Sequence, residues 1–152
     1  MSSSEWREAA VGLAAGAAGT AALELSRPVE RAIAGGAVPF APGAIAAAFG
    51  RALGRQPSAR TQAVVGRLLR WSYGPGWGAL YGLARGRRDG VPSTRRRALD
   101  AASLAAAILA LELLALPPLV GRSLFRGRVL GALVVHVGLF AAVAELVVGR
   151  AR

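Results

Sequence analysis

The sequence predicts an all-α fold: an integral membrane bundle of four transmembrane helices, with a short interfacial amphipathic helix between the first span and the second. Three observations carry that expectation. Hydrophobic residues make up 54% of the 152 positions, more than a water-soluble domain of this length needs to fill its core. These residues, mostly Ala, Leu, Val and Gly, fall into long runs separated by short Arg-rich stretches, the pattern of a polytopic membrane protein. Four of the runs approach the roughly 20 residues that span a bilayer core.

The first span is expected at about residues 9 to 25, after a polar start carrying Glu5, Arg7 and Glu8 that lacks the positive leader of a signal peptide. It closes at Ser26, Arg27 and Pro28. From Arg27 to Arg60, Gly35, Gly36, Pro39, Pro42 and Pro57 interrupt any long helix. Within this stretch, at about 43 to 55, Ile45, Ala48, Phe49, Ala52 and Leu53 recur at helical spacing, with Arg51 and Arg55 on the other side. That pattern suits a helix lying in the headgroup plane, or equally a short helix packed over the end of the bundle.

Ser58 can cap a helix that leads into a second span at about 64 to 84, with Arg67 and Arg70 at its entrance and a kink at Pro75 between Gly74 and Gly76. Trp71, Tyr73, Trp77 and Tyr81 supply rings suited to the membrane interface or to packing. Six arginines lie between Arg85 and Arg97. A third span is expected at about 101 to 120, interrupted by Glu112 and closed by Pro117 and Pro118, and a fourth at about 129 to 148, containing His136 and Glu145. An even number of spans puts both termini on one side, and the dense charge of the 85 to 97 loop makes that side cytoplasmic.

Every basic residue is Arg, and the formal net charge is +11. The arginines are divided among the connections and form no single basic face, so anionic lipid headgroups are the expected partner and nucleic acid is not. The Ala, Gly and Arg bias is also that of a GC-rich genome. Cysteine is absent, which removes disulfides and thiolate chemistry. There is no HExxH, no Walker loop, no nucleophile elbow and a single His, so the expectation is a protein without enzymatic activity, cofactor or metal site.

Three constellations stand out. Gly12, Gly16 and Thr20 repeat every four residues in span one, as do Gly74, Gly78 and Gly82 in span two. Such stripes let another backbone approach closely, which suits packing of spans one and two, or of two protomers, or else a Gly-lined substrate path. Glu112 and His136 each lie twelve residues from the turn expected near Leu124, hence at one depth in the hairpin of spans three and four. An ionisable pair inside hydrocarbon is either an interhelical hydrogen bond or a proton or ion site. Glu24 at the end of span one and Arg70 at the start of span two form a candidate interfacial ion pair. Glu145, nine residues beyond His136, either pairs with Arg85 or Arg150 or is solvated.

The glycine-rich first span, the segment Ala41 to Arg51 (APGAIAAAFGR) and above all the run Trp71 to Gly82 (WSYGPGWGALYG) resemble the YagU-like family of bacterial inner-membrane proteins, across roughly the first 85 residues. In that family a histidine commonly precedes the Trp of the run, where this chain has Arg70. The resemblance implies a small multi-span inner-membrane protein and supplies no reaction. The leading expectation is therefore a structural or envelope-stress membrane protein packed through its Gly stripes, alone, as a homo-oligomer or with a membrane-protein partner. The alternative is a small transporter, channel or proton-linked permeation unit using Glu112 and His136.

Overall fold

In a computed structural model, residues 2–34, 50, 54, 58–86, 93–115 and 127–151 are described, and they form four helices and no strand. The helices are α1 (Ser3–Ala34), α2 (Ala59–Gly86), α3 (Thr94–Ala115) and α4 (Gly127–Arg150). The proposed interfacial helix at about 43 to 55, the Pro117–Pro118 stop and the turn near Leu124 lie outside the described residues.

Each of the first three helices begins at a serine that satisfies a backbone N–H the helix itself cannot. Ser2 and Glu5 form a reciprocal capping box: Glu5 N donates to Ser2 Oγ at 3.2 Å, and Ser2 N donates to Glu5 Oε2 at 2.8 Å. Thr61 N donates to Ser58 Oγ at 3.2 Å, and Arg96 N to Ser93 Oγ at 3.3 Å. The box at Ser2 explains why α1 starts six residues before the apolar run. The same helix also continues past Pro28 to Ala34, where the sequence suggested a stop. Proline removes one intrahelical donor and crowds the carbonyl four residues back, that of Glu24, a cost a long helix can absorb near its end. Glu24 also accepts from Arg27 Nη1 at 3.0 Å across that turn. Pro75 is likewise taken inside a continuous α2.

Sequential helices run antiparallel. The backbones of α1 and α2 are in extensive contact, as are those of α1 and α4 and of α3 and α4, while α2 and α3 meet mainly through side chains. Arg7 Nη2 donates to the Ala151 carbonyl at 3.4 Å, so α1 starts where α4 finishes. The core comprises Ala15, Leu23, Tyr81, Leu104, Ile108, Leu133, Val137, Phe140, Ala141, Ala144 and Val148, dominated by α4. Buried positions on α4 recur every four residues (Leu133, Val137, Ala141, Glu145, and Ala132, His136, Phe140, Ala144, Val148). Because a turn is 3.6 residues, a four-residue repeat drifts about 40° per step, and the buried stripe winds from one neighbour to the next.

Two helices, over Ser3–Val29 and Leu130–Arg150, are long and apolar enough to cross a membrane by length and composition. The described parts of α2 and α3 do not reach that level. Arg60, Arg67, Arg70 and Arg85 dilute α2, and α3 opens on Arg95, Arg96, Arg97 and Asp100.

Candidate functional site

The two Gly stripes face each other. A Cβ placed on Gly12 would strike the backbone of Gly78, one on Gly16 the backbone of Gly74, and one on Gly82 the carbonyl oxygen of Glu8. Each step of four along α1 is therefore matched by a step of four back along α2, and the contact is backbone on backbone. Thr20 continues the stripe: its hydroxyl donates to the Gly16 carbonyl at 2.9 Å, and Oγ1 fills the space a side chain at Gly74 would need. Gly19, which the stripe reading left out, gives its space to the Phe140 ring from α4. Of the readings the stripes left open, this structure places them within one chain.

A second face of α2 carries Arg70, Tyr73, Trp77, Tyr81 and Arg85, spaced three and then four residues apart, a row about 22 Å long at 1.5 Å per residue. Polar groups of the other helices meet this row at three levels. At one end Arg70 Nη1 lies 2.9 Å from Glu24 Oε1, so the pair proposed from sequence is in contact, partly open to the outside.

At the middle level, Tyr73 Oη donates to Glu112 Oε1 at 3.4 Å. Glu112 is 3% exposed and His136 8% exposed, and both line one cavity of about 30 Å³ together with Thr20, Arg70, Tyr73 and Trp77. The two residues proposed as a pair thus share one level of the bundle, and Tyr73 is a hydrogen-bond donor to Glu112 there. Glu112 Oε2 is buried and accepts no hydrogen bond among the described residues. A water-sized cavity with mostly apolar walls beside the Glu112 carboxylate can hold a water hydrogen-bonded to that group, and it is too small for an organic substrate.

At the far end, Arg85 is 2% exposed and bridges two helices. Its Nη1 lies 3.0 Å from Asp100 Oδ2 on α3, and its Nη2 donates to Glu145 Oε1 on α4 at 2.5 Å. Tyr81 Oη donates to the other Glu145 oxygen, Oε2. One buried cation thus stands between two buried carboxylates, with a phenol as a further donor, so the buried charges are paired, while Arg85 Nε makes no hydrogen bond among the described residues. Glu145 is not solvated, and Arg85 is the partner among the alternatives. Asp100 was legible only as the boundary of an apolar run, and its membership in this network was missed. The signal lay in the four-residue spacing of Tyr73, Trp77, Tyr81 and Arg85, which puts all four on one face with the arginine in the last turn of the helix. A cleft of about 260 Å³ between α2 and α3 opens beside the network, lined by Trp77, Leu80, Tyr81, Arg85, Asp100 and Ser103 among others.

Among the described residues no group of three His, Cys, Asp or Glu is arranged to hold a metal ion. Comparison with protein-family models, with curated proteins and with solved structures returns no match for this chain.

Proposed function

We propose that this chain is an integral inner-membrane protein that crosses the bilayer four times and acts as a structural component of that membrane, without enzymatic activity. The observation that carries the reading is the combination of buried charges with exposed large apolar side chains. Charged and polar side chains, Arg85, Asp100, Glu112, His136 and Glu145, are inside. Large apolar side chains on all four helices point outward, among them Leu13 and Leu25, Leu68 and Leu80, Leu111 and Leu114, and Val134, Val135 and Leu146. Isolated exposed apolar residues are ordinary on a water-soluble protein. Large apolar side chains exposed on every helix around buried charges suit hydrocarbon, where polar groups must find partners within the protein. At 24 residues α4 is about 36 Å long, enough for a bilayer core. The resemblance of the Trp71–Gly82 run to the YagU-like family favours the same assignment, with both termini cytoplasmic and arginines meeting anionic headgroups.

The test is the behaviour of the chain in membranes. It should stay with the pellet after alkaline extraction and float with liposomes. A folded, monomeric protein recovered in buffer without detergent would refute the reading.

A second reading, a proton-linked permeation unit using Glu112 and His136, is favoured by one observation: the unsatisfied Glu112 Oε2 beside a water-sized cavity. Proteoliposome flux that responds to Glu112→Gln or His136→Ala would support it.

A further inference from the structure

The cavity at Glu112 and the cleft at Arg85 have one aromatic side chain in common. Trp77 lines both. The first is lined also by Tyr73, Glu112 and His136, the second by Tyr81, Arg85 and Asp100. The ring is half-buried and meets Tyr73 edge to face, with centroids 6.2 Å apart and planes at 77°. It stands on the α2 face that meets α3, the seam of the bundle where backbone contact is sparse, and the cleft of about 260 Å³ offers space on one side of it. Among the described residues no other lines both chambers.

We propose that the two chambers are halves of one proton path and that Trp77 is the plug separating them. The inference rests on the permeation reading of Glu112 and deepens it by naming the barrier. The row from Arg70 to Arg85 covers about 22 Å, most of the roughly 30 Å hydrocarbon thickness. Only the last stretch at each end need be covered by headgroups and water. A proton is the transported species because the upper cavity holds on the order of one or two water molecules. A metal ion stripped of water needs a shell of several oxygen ligands, and among the described residues Glu112 is the one carboxylate that lines this cavity.

The step is a pair of proton transfers. A hydronium ion in the Arg70 chamber gives its proton to Glu112 Oε2, leaving water and a neutral carboxyl. With the indole displaced, that carboxyl returns the proton to water in the cleft, and the carboxylate is restored. No electrons move. The charged and titratable groups facing this site are Glu24 from α1, Arg70 and Tyr73 from α2, and His136 from α4. In the closed arrangement the plug holds flux low.

The test uses the full chain in liposomes carrying an internal pH dye, with the membrane potential clamped by potassium and valinomycin and a pH step imposed outside. Trp77→Ala should raise proton flux about tenfold or more over wild type, equivalent to a barrier about 1.4 kcal/mol lower. Trp77→Phe should stay near wild type, and Trp77→Ala combined with Glu112→Gln should fall back to it. Flux unchanged by Trp77→Ala in protein that elutes as the folded species and keeps its helical content overturns the proposal. So does a leak that survives Glu112→Gln, or one carried by sodium or potassium regardless of the pH step. If Trp77→Ala does not elute as the folded species, Trp77→Val, which removes the ring and most of the bulk but keeps a small apolar side chain, decides by the same criteria. Flotation of each preparation after an alkaline wash scores membrane integration separately, so a flat trace from integrated protein removes the path and leaves the bundle assignment standing.

Discussion

Replacing Gly78 by Ala is the sharpest probe of the bundle. The added Cβ would lie on the Gly12 carbonyl and within 2.6 Å of Gly16 N and 2.7 Å of Gly16 Cα. Ordinary van der Waals contact begins near 3.5 Å, so α1 and α2 must separate by about 1 Å. No rotamer change relieves the clash, because every obstructing atom is backbone. Overpacking of a tight core costs about 1–3 kcal/mol, and with backbone on both sides the upper end applies. A loss of roughly 3 kcal/mol reduces the folded-to-unfolded ratio about a hundredfold. Unfolding in mixed micelles, followed by far-ultraviolet circular dichroism against denaturing detergent, measures this directly. Gly76→Ala and Gly138→Ala are the controls, since a Cβ at either position meets nothing within 4 Å. They should be neutral or stabilising, because alanine is the better helix former by up to about 1 kcal/mol. Gly78→Ala unfolding together with those controls would refute the backbone-on-backbone contact, and Gly78→Leu, which is larger, should be worse still.

Three further outcomes follow from the polar contacts. Arg85→Met strands two buried carboxylates and should cost about 3–5 kcal/mol in the same unfolding assay, whereas adding Asp100→Asn and Glu145→Gln should recover much of the loss. Arg70→Gln, at a partly exposed ion pair, should cost no more than about 1 kcal/mol, and a larger effect would mean that Arg70 carries more than its contact with Glu24. Ser2→Ala removes one side of the capping box and should weaken the start of α1 by about 1 kcal/mol, read as faster amide exchange in its first turn with the rest of the helix unchanged.

The helices and the Gly stripes were legible because both are written as short-range periodicities. A step of four in Gly12, Gly16 and Thr20 needs no knowledge of the partner to be read as a close-packing face. The boundaries were less legible. Ser2 and Glu5 carry the capping-box spacing, yet they sit in a polar stretch where apolar periodicity is silent, and Pro28 looked like a stop although a helix end can absorb it. The polar network was the hardest to read. Glu145 is half a revolution from His136 on a helical wheel, which suggests opposite faces, but the buried stripe on α4 drifts around the helix, and both residues end inside. That drift depends on which helices flank α4, a long-range fact that one segment does not encode. Asp100 is buried in contact with Arg85, fifteen residues earlier on another helix.

The meeting of Arg7 with the Ala151 carbonyl has a consequence for engineering. With the first and last helices ending side by side, a brief glycine-serine tether could join them, since closing so small a gap adds little entropic cost. New ends could then be cut between α2 and α3, whose main chains barely touch, giving a circular permutant that begins at α3. Such a molecule would retain every backbone-to-backbone helix pairing while changing the order in which the ribosome delivers them.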